Sequence, residues 1–171
     1  MAVFFFYLLL ILSFIDIDLR RLPNAMVGLL FGVGLVGVLV SQLTPLRVLP
    51  LLSGGKGLLA EPLVSAAVGT MAAAGLMLGI ALGYERLRRR QGLGMGDIKL
   101  LAAMGLYLGA YALLALFFAT AFGAVYGLVA VRFKMEGQSQ PLPFGPFLAL
   151  GSVATVAFGP AVWLWYLALL Q

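Results

Sequence analysis

Three aspartates occupy positions where a carboxylate is costly. Asp16 and Asp18 close an apolar run that begins at Met1 (MAVFFFYLLLILSFIDIDL), and Asp97 opens another (GDIKLLAAMGLYLG). On insertion scales, a charged side chain costs at least about 2.5–3.5 kcal/mol at mid-bilayer and less toward the interface, so each is a functional candidate. The other acids, Glu61, Glu85 and Glu136, fall in polar stretches or at helix ends, where water is expected to solvate them. Two aspartates that share a site cannot easily both ionise, so one keeps its proton. The ionised one can take a proton from water while the protonated one polarises a carbonyl, as in an aspartic protease. This chemistry needs no thiol, imidazole or metal, and the chain has no Cys and no His. Their lack excludes disulfides, thiolate nucleophiles, Ser-His and Cys-His dyads, and zinc or haem held by Cys or His. No cofactor and no metal is expected.

Asp16 and Asp18 are alternatives. Two residues on a helix are separated by about 200° of rotation, so only one can face a given partner. Asp16 is the deeper and fits a buried site better. The ordinary alternatives are surface ion pairs, Asp16 with Arg20 four residues on, or Asp18 with Arg21 three residues on. Around Asp97 the run is GMGDIK, 94–99. Gly94 and Gly96 permit an unusual backbone and close approach of a substrate strand. The ordinary role for Asp97 is a helix N-cap. Lys99 reads as a snorkelling interface anchor in preference to a residue that tunes the local charge.

The elements that must position these groups are membrane helices. Of 171 residues, 63% are hydrophobic and 10% charged, with a mean hydropathy of +1.11. A soluble domain is about 45–50% apolar and about 25% charged. We therefore expect an all-α integral membrane protein with one transmembrane domain, 1–171. The lipid bilayer is its expected surrounding. The net charge of +5 comes without a soluble basic domain, so nucleic acid is not an expected partner.

A span needs about 20 apolar residues. Candidate spans are 1–19, 24–43, 62–84 and 147–170. The first lacks the basic n-region and small-residue cleavage site of a signal peptide. The apolar run 100–131 is roughly 48 Å long as a helix, too long for one span and short for two, so a break is predicted near Gly109-Ala110. Six spans with the N-terminus outside place Arg20, Arg21, Arg86, Arg88, Arg89, Arg90, Lys99, Arg132 and Lys134 in the cytoplasm, leaving Arg47 and Lys56 outside. Five spans would move Arg132 and Lys134 outward and weaken the positive-inside bias. Asp16 and Asp97 then lie at similar depth near the cytoplasmic interface.

Trp163, Trp165 and Tyr166 suit an aromatic belt at the outer end of the last helix. The basic stretch 86–90 is expected to hold its loop inside and bind anionic headgroups. Glycines recur at four-residue spacing: Gly28 and Gly32; Gly75, Gly79 and Gly83; Gly105 and Gly109; Gly123 and Gly127. Packing within one bundle is their expected use, with a homodimer as the alternative.

FIDIDLRRLPN (14–24) and GMGDIKL (94–100) together resemble the paired signatures of type IV prepilin leader peptidases. The second is the GxGD motif shared with presenilin-like intramembrane aspartyl proteases. A third stretch, PLPFGPFLALG (141–151), is similar to the segment before the last helix of the bacterial enzymes. GxGD alone is a weak signal; with an aspartate seven residues before Pro23 and Asn24 it is specific. The resemblance covers the whole chain in order.

It implies six transmembrane helices and a catalytic dyad of Asp16 and Asp97, supported by Asp18, Pro23, Asn24, Gly94, Gly96 and Lys99. Asp18 matches a position that is often acidic and is not catalytic in the family. The implied activity is removal of a short basic leader from prepilins or pseudopilins. The cut falls after a glycine and before the apolar helix, at a Gly-Phe or Gly-Met type of junction. The products serve type IV pili, type II secretion or related filaments, and the implied location is the bacterial inner membrane.

Larger family members carry an extra N-terminal span and a cytoplasmic insert with paired CxxC motifs, and they N-methylate the new terminus. Here Asp16 lies fifteen residues from the start and Cys is absent, so a peptidase-only short form is expected. The Tyr-Asp and Pro-Ala-Leu motifs of presenilin-type proteases are missing, since Ile15 precedes Asp16. The loop 141–146 reads either as a re-entrant lid or as a turn into the last helix. The competing class is a small transporter or secretion-system assembly factor that uses the same aspartates as ion or proton sites. A transporter needs access from both sides. The acids within or bordering these helices gather on one side, which favours a one-sided hydrolytic site.

Overall fold

The computed structural model describes residues 1–44, 61–88, 94–133 and 143–169. It contains α1 (Ala2–Leu19), α2 (Asn24–Leu43), α3 (Pro62–Arg88), α4 (Met95–Leu108), a 3₁₀ turn (Gly109–Tyr111), α5 (Ala112–Arg132) and α6 (Gly145–Leu169). The described residues include no strand. The helices satisfy their backbone polar groups internally, as lipid requires. Large apolar side chains such as Val3, Leu128 and Phe158 point outward while Leu12, Leu30, Leu101 and Met104 are fully buried. Five stretches, with Met95–Arg132 taken as one, are long and apolar enough to cross a bilayer. The protein is an all-α integral membrane protein.

Within Met95–Arg132 the chain breaks where the sequence predicts. Gly109 has φ 56° and ψ −140°, a conformation open to glycine because it lacks Cβ. The Ala110 N–H donates to Ser65 Oγ at 3.4 Å, tying the turn to the start of α3. From there α5 runs back antiparallel to α6: Tyr111 lies against Gly159, and Tyr126 against Phe147. α3 and α4 are also antiparallel, with Thr70 Oγ1 donating to the Ala102 carbonyl at 3.2 Å. At 14 residues α4 is about 21 Å long, against about 40 Å for the 27-residue α3. With Gly69 against Gly109, α3 therefore extends past the first turn of α4.

The helices pack as two groups of three. α1 and α5 pack chiefly on α6, and α2 and α3 chiefly on α4. The chain passes between the groups only at residues 20–23 and at the 109–111 turn. Arg20 (φ 50°) and Gly109 are the described residues with positive φ, one in each connection. Across the seam, Phe5 stacks on Tyr107 with ring centroids 4.6 Å apart, while within the α2–α4 group the buried Tyr107 hydroxyl donates to the Leu30 carbonyl at 2.9 Å.

Several expectations change. α3 runs to Arg88 rather than ending near residue 84, because Glu85-Arg86-Leu87-Arg88 are good helix formers once the chain leaves the apolar layer. α6 begins at Gly145 rather than near residue 147. The four-spaced glycines divide: a Cβ on Gly105 would stand 2.5 Å from Thr70 backbone atoms, whereas Gly28, Gly32, Gly75, Gly79, Gly83 and Gly127 face open space. Spacing marks a face of a helix, but the bundle decides which face turns inward. The tight approaches also use Gly69 against the Gly109 carbonyl and Gly151 against α5.

Glu85 is exposed, and Glu61 is too, accepting a bond from Gln42 Nε2 at 3.2 Å. Arg47, Lys56, Arg89, Arg90, Lys134, Glu136 and residues 141–142 of the loop lie outside the described residues, as do the side chains of Trp163 and Tyr166. Trp165 is exposed. Because no flexible side chain can yield at the α3–α4 crossing, Gly105→Ala is expected to cost about 1–3 kcal/mol. Thermal melting in detergent reads this; an unchanged midpoint would show that the helices do not approach so closely.

Candidate active site

Helical periodicity on α1 sets the first carboxylate. Phe5, Leu8, Leu9, Leu12 and Asp16 form its buried face, and Ile17 and Asp18 point outward. Asp16 is only 5% exposed. α1 then stops at Arg20, whose left-handed backbone (φ 50°, ψ 31°) occupies the slot usually given to glycine, and whose N–H bonds the Asp16 carbonyl at 3.0 Å. Leu22 and Pro23 turn the chain into α2, where the Pro23 carbonyl accepts from the Met26 and Val27 amides.

The second carboxylate comes from α4. Gly94, not Asp97, is the N-cap, and Asp97 sits in the first helical turn with its N–H bonded to the Gly94 carbonyl at 3.1 Å. A carboxylate there opposes the positive end of the helix dipole, so the capping expectation is replaced by a related one. Gly94 has an ordinary extended backbone, φ −69° and ψ 127°. What the two glycines supply is room. A Cβ on Gly94 would stand 3.1 Å from Asp97 Oδ2, and one on Gly96 would stand 3.1 Å from Leu22 Cβ. Gly96 thus lets the turn that carries Asp97 seat against the α1–α2 connection.

Both segments line one cavity of about 330 Å³. Its walls include Asp16, Asn24, Gly94, Gly96, Asp97 and Lys99, with Arg20, Arg21, Leu22 and Met95. Asp16 and Asp97 thus face the same cavity from different helices, α1 and α4. Lys99 Nζ donates to Asn24 Oδ1 at 3.1 Å, so this lysine links α4 to the start of α2 at the rim. Pro23 shapes the turn without lining the cavity, and Asp18 lies on the outer face of α1. The ion pair offered by Arg20 is not what holds Asp16. Its Oδ2 accepts the Gly145 N–H at 2.9 Å in a buried bond. Gly145 is a site residue that sequence reasoning missed; its signal was the third segment, PLPFGPFLALG. Since α6 starts at Gly145, residues 145–146 belong to a turn of helix rather than a lid.

Two carboxylates at one polar recess, held by three helices and ringed by Arg20, Arg21 and Lys99, can bind and polarise water. Among the described residues no group of three or more acids, Cys or His gathers that could hold a metal ion. The model of the type IV leader peptidase family matches residues 3–128, which include both carboxylates and the glycines beside Asp97. The chain belongs to the type IV leader peptidase family.

Among its relatives, the prepilin leader peptidase/N-methyltransferase of Aeromonas salmonicida (strain A449) is 34% identical over 167 residues, 95% of this chain and 50% of that protein. The protein of the same description from Bacillus subtilis (strain 168) is 34% identical over 167 residues, 97% of this chain and 58% of its own length. That of Burkholderia pseudomallei (strain K96243) is 48% identical over 83 residues, 47% of this chain and 26% of its own. The chain spans about half the length of the curated relatives it matches. No solved structure matches it. Bacterial relatives and apolar spanning helices make this leader peptidase family member a multi-pass protein of the inner membrane.

Proposed function

We propose that the chain is a membrane aspartic endopeptidase that removes the leader from prepilins or pseudopilins. The observation that carries this reading is that Asp16 and Asp97, one from each family signature, face the same cavity at the same end of the bundle. With one proton between the two carboxylates, the ionised one takes a proton from a bound water. The water oxygen bonds to the scissile carbonyl carbon, and the protonated partner gives its proton to the carbonyl oxygen. Collapse of that adduct breaks the C–N bond, and the amine leaves with a proton returned from the dyad. No cofactor takes part.

The end that holds the cavity also carries Arg20, Arg21, Arg86, Lys99 and Arg132, so the positive-inside rule puts it in the cytoplasm. Six crossings, with α4 and α5 as separate ones, then leave the N-terminus outside. A substrate leader on the cytoplasmic side of an apolar helix meets the recess at the membrane surface. Type IV pilus and type II secretion precursors have this form. The N-methyltransferase in the relatives' names describes those proteins, and the peptidase reading here rests on the two carboxylates alone.

The test is cleavage by the purified protein in lipid vesicles. A pilin-like precursor with a basic leader and a Gly-Phe junction is expected to lose its leader, seen as a gel shift and confirmed by the new N-terminal residue. Failure on that precursor and on precursors encoded beside this chain would move the assignment to a non-hydrolytic membrane protein.

A further inference from the structure

The contact between α6 and Asp16 is not explained by the two aspartate signatures, and it lies beyond the residues that the family model matches. Gly145 is the first residue of α6, so its N–H has no partner within the helix. That N–H donates to Asp16 Oδ2 at 2.9 Å, in a buried bond between helices far apart in sequence. The rest of the turn closes normally, with the Phe144 carbonyl accepting from the Phe147 and Leu148 amides at 3.1 Å each. A side chain at this position would displace Asp16. A Cβ at position 145 would stand 2.8 Å from Asp16 Oδ2 and 3.2 Å from Asp16 Cβ.

We propose that the Gly145 main-chain N–H is the positioning group of the dyad: it fixes Asp16 through Oδ2, leaves Oδ1 to the reacting water, and makes Asp16 the member that carries the negative charge while Asp97 holds the proton. This rests on the dyad reading above. An N–H bond to a carboxylate is stronger when the carboxylate is charged, and the start of a helix favours an anion. Among the described residues no hydrogen-bond donor is bonded to the Asp97 carboxylate. Among the described residues, the charged side chains that line the cavity with the pair are Arg20 and Arg21 from the α1–α2 connection and Lys99 from α4. α6 has no charged side chain and contributes this amide. α1 and α6 belong to one helix group and Asp97 to the other, so the bond anchors Asp16 to its own side of the seam.

The experiment compares wild type, Gly145→Ala, and a protein with an ester at the 144–145 linkage, in which oxygen replaces the Gly145 N–H and no atom is added to crowd the site. Both altered proteins are expected to lose about 10- to 100-fold in kcat, because a carboxylate misplaced by an ångström can cost that much. KM should stay within about twofold, and the acid limb of the pH–rate profile should move up by about one unit, since the charged form has lost a bond. Melting temperature separates this from a folding defect. An ester protein that melts like wild type and keeps its kcat and both pH limbs overturns the proposal. So does a loss of kcat with no movement of the acid limb, which marks a structural contact only. Failure of the dyad reading looks different: Asp16→Asn then cleaves as fast as wild type, whatever Gly145→Ala does.

Discussion

Asp16→Asn and Asp97→Asn should each abolish leader cleavage, by about a thousandfold or more, while Asp18→Asn stays within about twofold of wild type. A thousandfold corresponds to about 4 kcal/mol of barrier, within the share that general acid–base catalysis supplies. Asparagine nearly matches aspartate in shape, and its amide oxygen can still accept the Gly145 N–H that Asp16 Oδ2 accepts at 2.9 Å. It neither ionises nor donates an acidic proton, so the fold survives and the proton transfer does not. Asp97 has still less to lose structurally, being half-buried in the first turn of α4 with its backbone N–H on Gly94. Asp18 is exposed on the outer face of α1 and does not line the cavity. Surface substitutions of that kind shift energies by about 0.5 kcal/mol. Cleavage of a pilin-like precursor in vesicles, beside thermal melting of the same samples, reads all three variants. A folded Asp97→Asn protein that still cuts would remove the dyad from the mechanism.

Rotation about a helix made Asp16 and Asp18 separable from sequence. Residues 5, 9, 12 and 16 share a face, so a carboxylate at 16 points where the core leucines point, and one at 18 does not. The break inside 100–131 was legible for a similar reason: only a chain reversal fits that length between two interfaces, and Gly109 is where the backbone can turn with positive φ. The Gly145 bond was not legible. It joins residues 129 positions apart and depends on α6 starting level with the last turn of α1, which no local pattern encodes. The glycine stripes misled for a related reason. An apolar membrane helix is hydrophobic on every side, so it lacks the polar face that in a soluble helix shows which way is out. Gly75, Gly79 and Gly83 share a spacing with Gly105 and Gly109, yet no described atom lies within 4 Å of where their Cβ would stand.

The rate of cleavage should trace a bell against pH. The reacting form has one proton on the pair. Acid adds the second proton, leaving no carboxylate to accept from water; base removes the last, leaving no acid to polarise the carbonyl. Each limb belongs to the pair rather than to one residue, because a dyad that shares a proton in one cavity titrates as a unit. The surrounding cations act on both limbs in one direction. Lys99 and the two arginines favour negative charge on the dyad, so Lys99→Gln should move the acid and base limbs together toward higher pH, by less than about one unit because Lys99 is exposed. High salt should do the same by screening. The seam between the two helix groups makes this a demanding test. Asp16 is fixed to α6 and Asp97 to the group of α2 and α3, so a pair that never shares a proton would titrate as two separate carboxylates and leave no basic limb. Rates measured from about pH 4 to about pH 10 decide between these cases. A flat profile over that range would rule out proton sharing, and with it the mechanism in which one carboxylate serves as base while the other serves as acid.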